Sequence, residues 1–177
     1  FLLIFPEFKY FERLNKLNEI KSSNIFDKKI LLSILLIDEK NNHEYFLHKY
    51  NVSNNLKDDL NLVAKNYIHS LENKNFFKKD LKKNIFHFGK KHLELLNIVN
   101  FSINKKIKLD DCINILNNIK KISLPKFPFN GSYLKDKGIE EGKNVGKILK
   151  LIQDEWLNNG FKISDQRISE IIDNQKN

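Results

Sequence analysis

The chain has 177 residues, of which 41% are hydrophobic, so it can form one large domain or two small ones with a real core. Its net charge is +9 and its pI about 9.4, and the cations are 29 Lys against two Arg. No apolar run approaches the roughly 18–20 residues of a membrane span, and one cysteine excludes an internal disulfide. We therefore expect a cytoplasmic protein that has no membrane partner.

The apolar residues recur with helical spacing in every segment, and no stretch alternates as a strand would. We therefore predict an all-α protein, with a multi-helical body lobe followed by a small helical tail subdomain. The expected divisions are 1–20 for the first body helix, 21–124 for the helical body and 125–177 for the tail. Pro125 and Pro128 mark the junction, because proline interrupts a helical pattern.

The body helices follow one another with short connections. Pro6 suits the first turn of a helix, and Ser53 suits the position that caps one. Asp110 and Asp111 suit the first turn of another, where acidic residues are favoured. The predicted body helices cover about Pro6–Ile20, Lys28–Ile37, His43–Tyr50, Asn54–Leu71, Phe77–Phe88, Lys90–Phe101 and Leu109–Ile122.

A basic stretch runs from Lys74 to His92 and contains seven lysines and one acidic residue. On a helix over Phe77–Phe88, the apolar residues form one face and the lysines form the others. Such lysines can neutralise the phosphates of a nucleic acid without contacting its bases. Alternatively, and with equal weight, the lysines form only a solvated helix face in a Lys-rich chain. The candidate phosphate-binding lysines are Lys78, Lys79, Lys82, Lys83, Lys90 and Lys91.

The tail carries five of the six glycines, and Gly138, Gly142 and Gly146 are spaced by four residues before an apolar helical run. A glycine turn that leads into a helix gives a phosphate close access to backbone N–H groups. Lys143 and Lys147 would stand beside this clamp. Alternatively, Gly146 lets another helix pack closely. The predicted tail helices cover about Ser132–Lys137, Glu141–Asn158 and a last helix that Ser164 caps and that ends near Asp173.

We predict no catalytic residue, metal site or cofactor in this chain. The adjacent acids lie on helices, where neighbours point about 100° apart and do not converge on a metal ion. None of the five histidines pairs with another at helical spacing, and Cys112 is remote from them. The acid pairs considered are Asp58–Asp59, Asp110–Asp111, Glu140–Glu141 and Asp154–Glu155.

The segment FPFNGSYLKDKGIEEGKNVGKILKLIQDEWLNNGF, residues 127–161, resembles the C-terminal tail of bacterial-type tRNA nucleotidyltransferases. These are the CCA-adding enzymes and the related poly(A) polymerases. The opening LLIFPEFKYFERLN also resembles the end of the neck in that family. The matching tail positions are Phe127–Pro128, Gly131, Leu134, Gly138–Ile139, Gly142, Val145–Gly146, Leu149 and Trp156.

The resemblance implies a body and tail that hold the acceptor arm and elbow of tRNA, or another structured RNA. The catalytic acids and Mg²⁺ of such an enzyme lie in an N-terminal head and the nucleotide-selecting pair in its neck, so this portion alone is expected to be inactive. The chain contains no methionine, even at position 1, which also predicts a piece of a longer protein. A non-enzymatic helical scaffold and a helix-hairpin-helix DNA-binding module remain alternatives, and CCA and poly(A) addition are not distinguished.

Overall fold

The computed structural model describes residues 4–20, 27–38, 40–139 and 142–175. Within these ranges the regular structure is helical and includes no strand, which confirms the all-α prediction. The chain divides into two compact units, Phe1–Ile122 and Ser123–Asn177, which we call the body unit and the tail unit. The body helices are α1 (Arg13–Leu17), α2 (Lys28–Leu36), α3 (Asn42–Lys49), α4 (Asn54–Glu72), α5 (Leu81–Phe88), α6 (Lys90–Ile103) and α7 (Leu109–Lys121). The tail helices are α8 (Gly131–Asp136), α9 (Lys143–Asn158) and α10 (Asp165–Asp173).

Membrane insertion would require a long apolar helix. Every helix in the described ranges is too short or too polar to span a bilayer.

Helix α6 lies at the centre of the body unit, where it packs against α1, α2, α4, α5 and α7. After its first turn the helix is apolar on most sides, and Leu93, Leu96 and Val99 are fully buried. Burial of each such side chain stabilises the fold by about 1.5–3 kcal/mol. Asn97 is also buried, and its side-chain amide donates to the carbonyl of Cys112 at 2.9 Å. A satisfied polar contact therefore links α6 to α7 inside an apolar core.

Lys16 of α1 caps the C-terminal end of α6. Its Nζ donates to the carbonyl oxygens of Phe101, Asn104 and Ile107 at 3.1, 2.9 and 3.1 Å. The last carbonyls of a helix lack partners within the helix and carry partial negative charge, so an ammonium group is favoured there. This contact fixes α1 on α6, although α1 has only five residues.

The helix predicted over Pro6–Ile20 is wrong in extent, because only Arg13–Leu17 is α-helical and residues 4–12 form turns and irregular backbone. Contacts with distant residues stabilise this irregular path. The side-chain amide of Asn42 donates to the Glu7 carbonyl at 2.9 Å, and the Tyr10 hydroxyl donates to Asp38 at 2.8 Å. Helical periodicity in the sequence does not reveal such long-range hydrogen bonds.

Glu7 places a carboxylate inside the body unit, where its side chain is only 2% exposed. It accepts hydrogen bonds from Lys49 Nζ at 2.8 Å and from the Tyr50 hydroxyl at 3.0 Å. Burial alone would raise the pKa of Glu7, but these hydrogen bonds and one to its own backbone outweigh burial and lower the pKa. The N-terminal segment is thereby attached to the end of α3.

The other predicted helices agree with the structure to within two residues where they are described, except α5. Asp27 and Ser164 cap α2 and α10, since their side chains accept from the backbone N–H groups of Lys29 and Arg167. Ser53 occupies the cap position of α4 but makes no side-chain cap bond, which corrects its predicted role. Glu141, the predicted first residue of the long tail helix, lies outside the described residues.

The tail unit has its own apolar core, formed by α8, α9, α10 and the turn before α9. The fully or nearly fully buried residues are Leu134, Ile139, Ile148, Ile152, Ile168, Ile171 and Ile172. The ring of Phe127 lies 5.4 Å from the ring of Trp156, at an interplanar angle of 65°. The segment around Pro128 therefore folds back on α9.

Candidate nucleic-acid interface

The lysine stretch of the body unit does not form one continuous helix. Helix α5 begins at Leu81, and residues 74–80 form turns, so the prediction that Lys78 and Lys79 lie on a helix is wrong. We call residues 73–82, which are these turns with the residue before them and the first two residues of α5, the lysine loop. Its exposed lysines are Lys74, Lys78, Lys79 and Lys82.

The lysine loop is anchored by a buried aromatic residue. Phe76 is 1% exposed, and Asn84 of α5 donates its side-chain amide to the Phe76 carbonyl at 2.8 Å. A second hydrogen bond, from the Asn73 amide to the Asp80 carboxylate at 2.9 Å, closes the base of the loop. The helix predicted over Phe77–Phe88 left out Phe76 and began at Phe77, which is half-buried. Lys74, Lys78 and Lys79 are therefore presented from turns whose backbone is tied to the core, and Lys82 lies on the first turn of α5.

The remaining candidate lysines of the body have different surroundings. Lys83 is half-buried, and Lys91 is exposed on the first turn of α6. Lys90 is half-buried, and its Nζ donates to the carbonyl of Lys120 at 2.9 Å, so it holds α6 to α7. Lys90 is thus engaged in a structural contact that the sequence did not indicate.

In the tail unit, two of the predicted glycines adopt backbone conformations that favour glycine. Gly138 has φ +79° in the turn after α8, and Gly142 has φ +151° at the cap position of α9. A side chain at either position would be strained whatever the space around it. The sequence prediction of a shaped glycine turn before the long helix therefore matches the backbone.

Gly146 lies on the first turns of α9 and is exposed. A Cβ atom built there would meet no atom within 4 Å, so no neighbouring helix of the described chain packs against it. This geometry disfavours the alternative in which Gly146 makes room for helix packing. Lys147 is exposed next to it, and the side chain of Lys143 lies outside the described part of the structure.

Two shallow concavities flank this glycine surface, which we define by Gly131, Gly142 and Gly146. One of about 320 Å³ includes Lys135 and Ser132, and the other of about 440 Å³ includes Lys150 and Gln153. Both include Gly131, whose added Cβ would lie 3.7 Å from a methyl group of Val145. The sequence prediction missed these side chains, although Lys150 follows Gly146 by one helical turn and could have been found from that spacing.

The titratable groups do not assemble into a metal site within the described ranges, where no three His, Cys, Asp or Glu side chains could hold a metal ion. His43 is buried, its Nδ1 has no hydrogen-bond partner among the described residues, and burial lowers its pKa. Cys112 is fully buried, and burial raises the pKa of its thiol to about 12. Glu140 and Glu141 lie outside the described residues.

The described surface thus offers two places suited to phosphate, the lysine loop of the body unit and the glycine surface of the tail unit. Comparison of the chain with known protein families, with curated proteins and with solved structures finds no match.

Proposed function

We propose that this chain is the RNA-binding body and tail portion of a tRNA nucleotidyltransferase, an enzyme that adds CCA or A to RNA 3′ ends from CTP and ATP. Its role would be to hold the acceptor arm and elbow of the RNA so that the 3′ end reaches a catalytic head. The described residues do not form a Mg²⁺ site, so we assign no step of nucleotide transfer to this chain.

The observation that carries the proposal is the exposed Gly146 on α9. Glycine in the interior of a helix costs roughly 0.5–1 kcal/mol relative to alanine. Packing within the described chain gives no reason for this cost, because a Cβ atom would meet nothing there. Close approach of an external backbone, such as an RNA phosphate chain, does give a reason.

The other positions of the resemblance have roles that support such a surface. Leu134, Ile139 and Trp156 are buried in the tail unit, whereas Gly138 and Gly142 set the backbone of the turn. The buried positions therefore hold the turn, and the glycines leave the backbone at the start of α9 accessible. The N-terminal end of a helix carries partial positive charge, which favours a phosphate there.

The lysine loop supplies the electrostatic part of the proposed function. Exposed lysines neutralise phosphates and release counterions, so they contribute affinity that depends on salt and not on base sequence. Double-helical RNA is recognised mostly by shape, phosphates and 2′-hydroxyl groups, which suits a surface with lysines and backbone N–H groups. Binding of an RNA arm by such contacts would require no base-reading side chains.

The decisive variant is Gly146→Ala, assayed with the intact chain against an unmodified tRNA transcript. The methyl group should obstruct close approach and weaken tRNA binding by about tenfold, while the helix becomes more stable by roughly 0.5–1 kcal/mol. A matched control is Asn144→Ala, which changes an exposed residue about 200° around the same helix. Unchanged tRNA affinity in the Gly146→Ala variant would refute the clamp and favour the scaffold alternative.

A second arm of the same experiment separates the RNA proposal from the DNA-binding alternative. The intact chain is titrated with duplex DNA of the same length as the tRNA acceptor arm. We expect weaker binding than to tRNA, because the DNA lacks the 2′-hydroxyl groups and the A-form shape. Equal affinity, reduced equally in the Gly146→Ala variant, would favour the helix-hairpin-helix interpretation.

A further inference from the structure

The body unit contains a separate cleft of about 810 Å³, distinct from the lysine loop and from the tail unit. It opens among α2, α4, α6 and α7, beside the end of α5. Its apolar surface is formed by Ile30, Val63, Phe88, Leu95, Ile98 and Leu116. A cleft of this size can bury a ligand of a few ring systems.

One wall of the cleft is aromatic. The rings of Phe88 and His92 have their centres 5.7 Å apart, and both residues are half-buried. Asn66 of α4 donates its side-chain amide to Nε2 of His92 at 2.9 Å, which holds the imidazole in place. Because the Asn66 nitrogen can only donate, the neutral ring carries its proton on Nδ1. Burial lowers the pKa of His92, which favours this neutral form.

The charged residues of the cleft fall into two groups. Lys29 pairs with Asp59, and Asp27 caps α2, so these three groups are engaged with one another or with the backbone. Lys91, Lys120 and Glu94 also line the cleft, and within the described chain their side chains form no ion pair. The cleft therefore combines two available ammonium groups and one available carboxylate with an aromatic wall.

We propose that this cleft binds a nucleotide, with the base against Phe88 and His92 and the phosphate near Lys91 and Lys120. Bases stack on aromatic side chains irrespective of base identity, and lysine neutralises phosphate. Glu94 can accept a hydrogen bond from a ribose hydroxyl or from a base amino group. The nucleotide can be free or can be an unpaired residue of an RNA chain. This site does not depend on the proposed tail clamp.

The test uses the intact chain and calorimetric titration with AMP, a five-nucleotide single-stranded RNA and inorganic phosphate. If AMP binds as tightly as the RNA, the ligand of the cleft is a free nucleotide. If the RNA binds at least tenfold more tightly than AMP, the ligand is an unpaired residue of an RNA chain. Binding of phosphate as tight as that of AMP would overturn the proposal, because it would show that the base makes no contact with the cleft. No binding of AMP or RNA would overturn it as well.

The site is located with two pairs of variants. Lys120→Gln should weaken nucleotide binding by about fivefold, because Lys120 lines the cleft. The control is Lys121→Gln, which removes the same charge from an exposed residue outside the cleft and should leave nucleotide binding unchanged. Phe88→Leu keeps an apolar side chain but removes the ring. This variant should weaken the binding of AMP more than the binding of phosphate. Equal effects of the two lysine variants would overturn the location. Binding that also persists in the Gly146→Ala variant would separate this cleft from the tail.

Discussion

Lys16 contacts Phe101 twice, since its Nζ lies 3.1 Å from the Phe101 carbonyl oxygen and 4.6 Å from the centre of the Phe101 ring. The ammonium group thus meets both the end of a helix and an aromatic face, each of which favours a cation. This residue thus makes a polar connection from α1 to the C-terminal end of the central helix α6.

Replacement of Lys16 by methionine should show what that connection contributes. The variant keeps an apolar stem but leaves the carbonyls of Phe101, Asn104 and Ile107 without their donor. We expect a loss of about 1–3 kcal/mol in the free energy of unfolding, measured with urea. Lys9→Met, at an exposed position, is the control and should change stability by less than about 0.5 kcal/mol. Equal effects of the two variants would contradict the capping role.

The acid sensitivity of the body unit should depend on Glu7. Its pKa lies below the ordinary value of 4.5, because the hydrogen bonds from Lys49 and Tyr50 outweigh burial. Its contribution to stability is therefore present above pH 4.5 and is lost as the pH falls through the lowered pKa. Glu7→Gln should cost about 1–3 kcal/mol at pH 7 and less at pH 3, as measured by urea unfolding at both pH values.

Glu12→Gln is the matched control, because Glu12 is exposed in the same segment. Its replacement should change the free energy of unfolding at pH 7 by less than about 0.5 kcal/mol, because its side chain is exposed. If Glu7→Gln lowers stability equally at both pH values, the ionised carboxylate is not what stabilises the segment.

The lysine loop should determine the salt dependence of RNA binding by the body. Replacement of Lys74, Lys78, Lys79 and Lys82 by glutamine should reduce the slope of log K against log salt by about 0.7–0.9 for each phosphate that is no longer neutralised. The measurement is a tRNA titration at several salt concentrations. The control set is Lys105, Lys106, Lys108 and Lys121, four exposed lysines of the same unit. The same reduction of slope in both sets would show that net charge matters and the loop does not.

The glycines of the tail should respond to alanine with opposite signs. Gly160 has φ +67°, so alanine there should cost about 1–2 kcal/mol, because L residues avoid this conformation. Gly146→Ala should instead stabilise the unit, because it lies in an exposed helix with open space for the methyl group. Thermal unfolding followed through Trp156, the only tryptophan, compares the two. Destabilisation by both variants would contradict the open environment of Gly146.

Much of the fold could be predicted from local patterns. Helical periodicity identified the all-α class and most helix bounds, since these depend on neighbours three and four residues apart. The prediction of the N-terminal helix was wrong in extent, because residues 4–12 are held by contacts with Asp38, in the connection after α2, and with Asn42 of α3. The predicted start of α5 was wrong because the residues before Leu81 form turns that are anchored by the buried Phe76 and do not continue the helix.

The candidate sites show the same division. The turn-forming glycines could be predicted because positive φ is a local property of Gly138 and Gly142. The cleft at Phe88 and His92 could not be predicted, since its charged residues come from helices that are far apart in the sequence. The engagement of Lys90 with the carbonyl of Lys120 was likewise not visible in the spacing of the lysines.

The burial of Cys112 has a practical consequence for experiments on this chain. Its thiol is fully buried, its pKa is raised to about 12, and the sequence contains no other cysteine. Maleimide reagents react with exposed thiolate, so they should not label Cys112 in the native protein. Cys112 therefore does not have to be replaced before a labelling experiment. A cysteine introduced at an exposed position such as Lys147 would then be the single attachment point for a fluorophore or spin label beside the glycine surface.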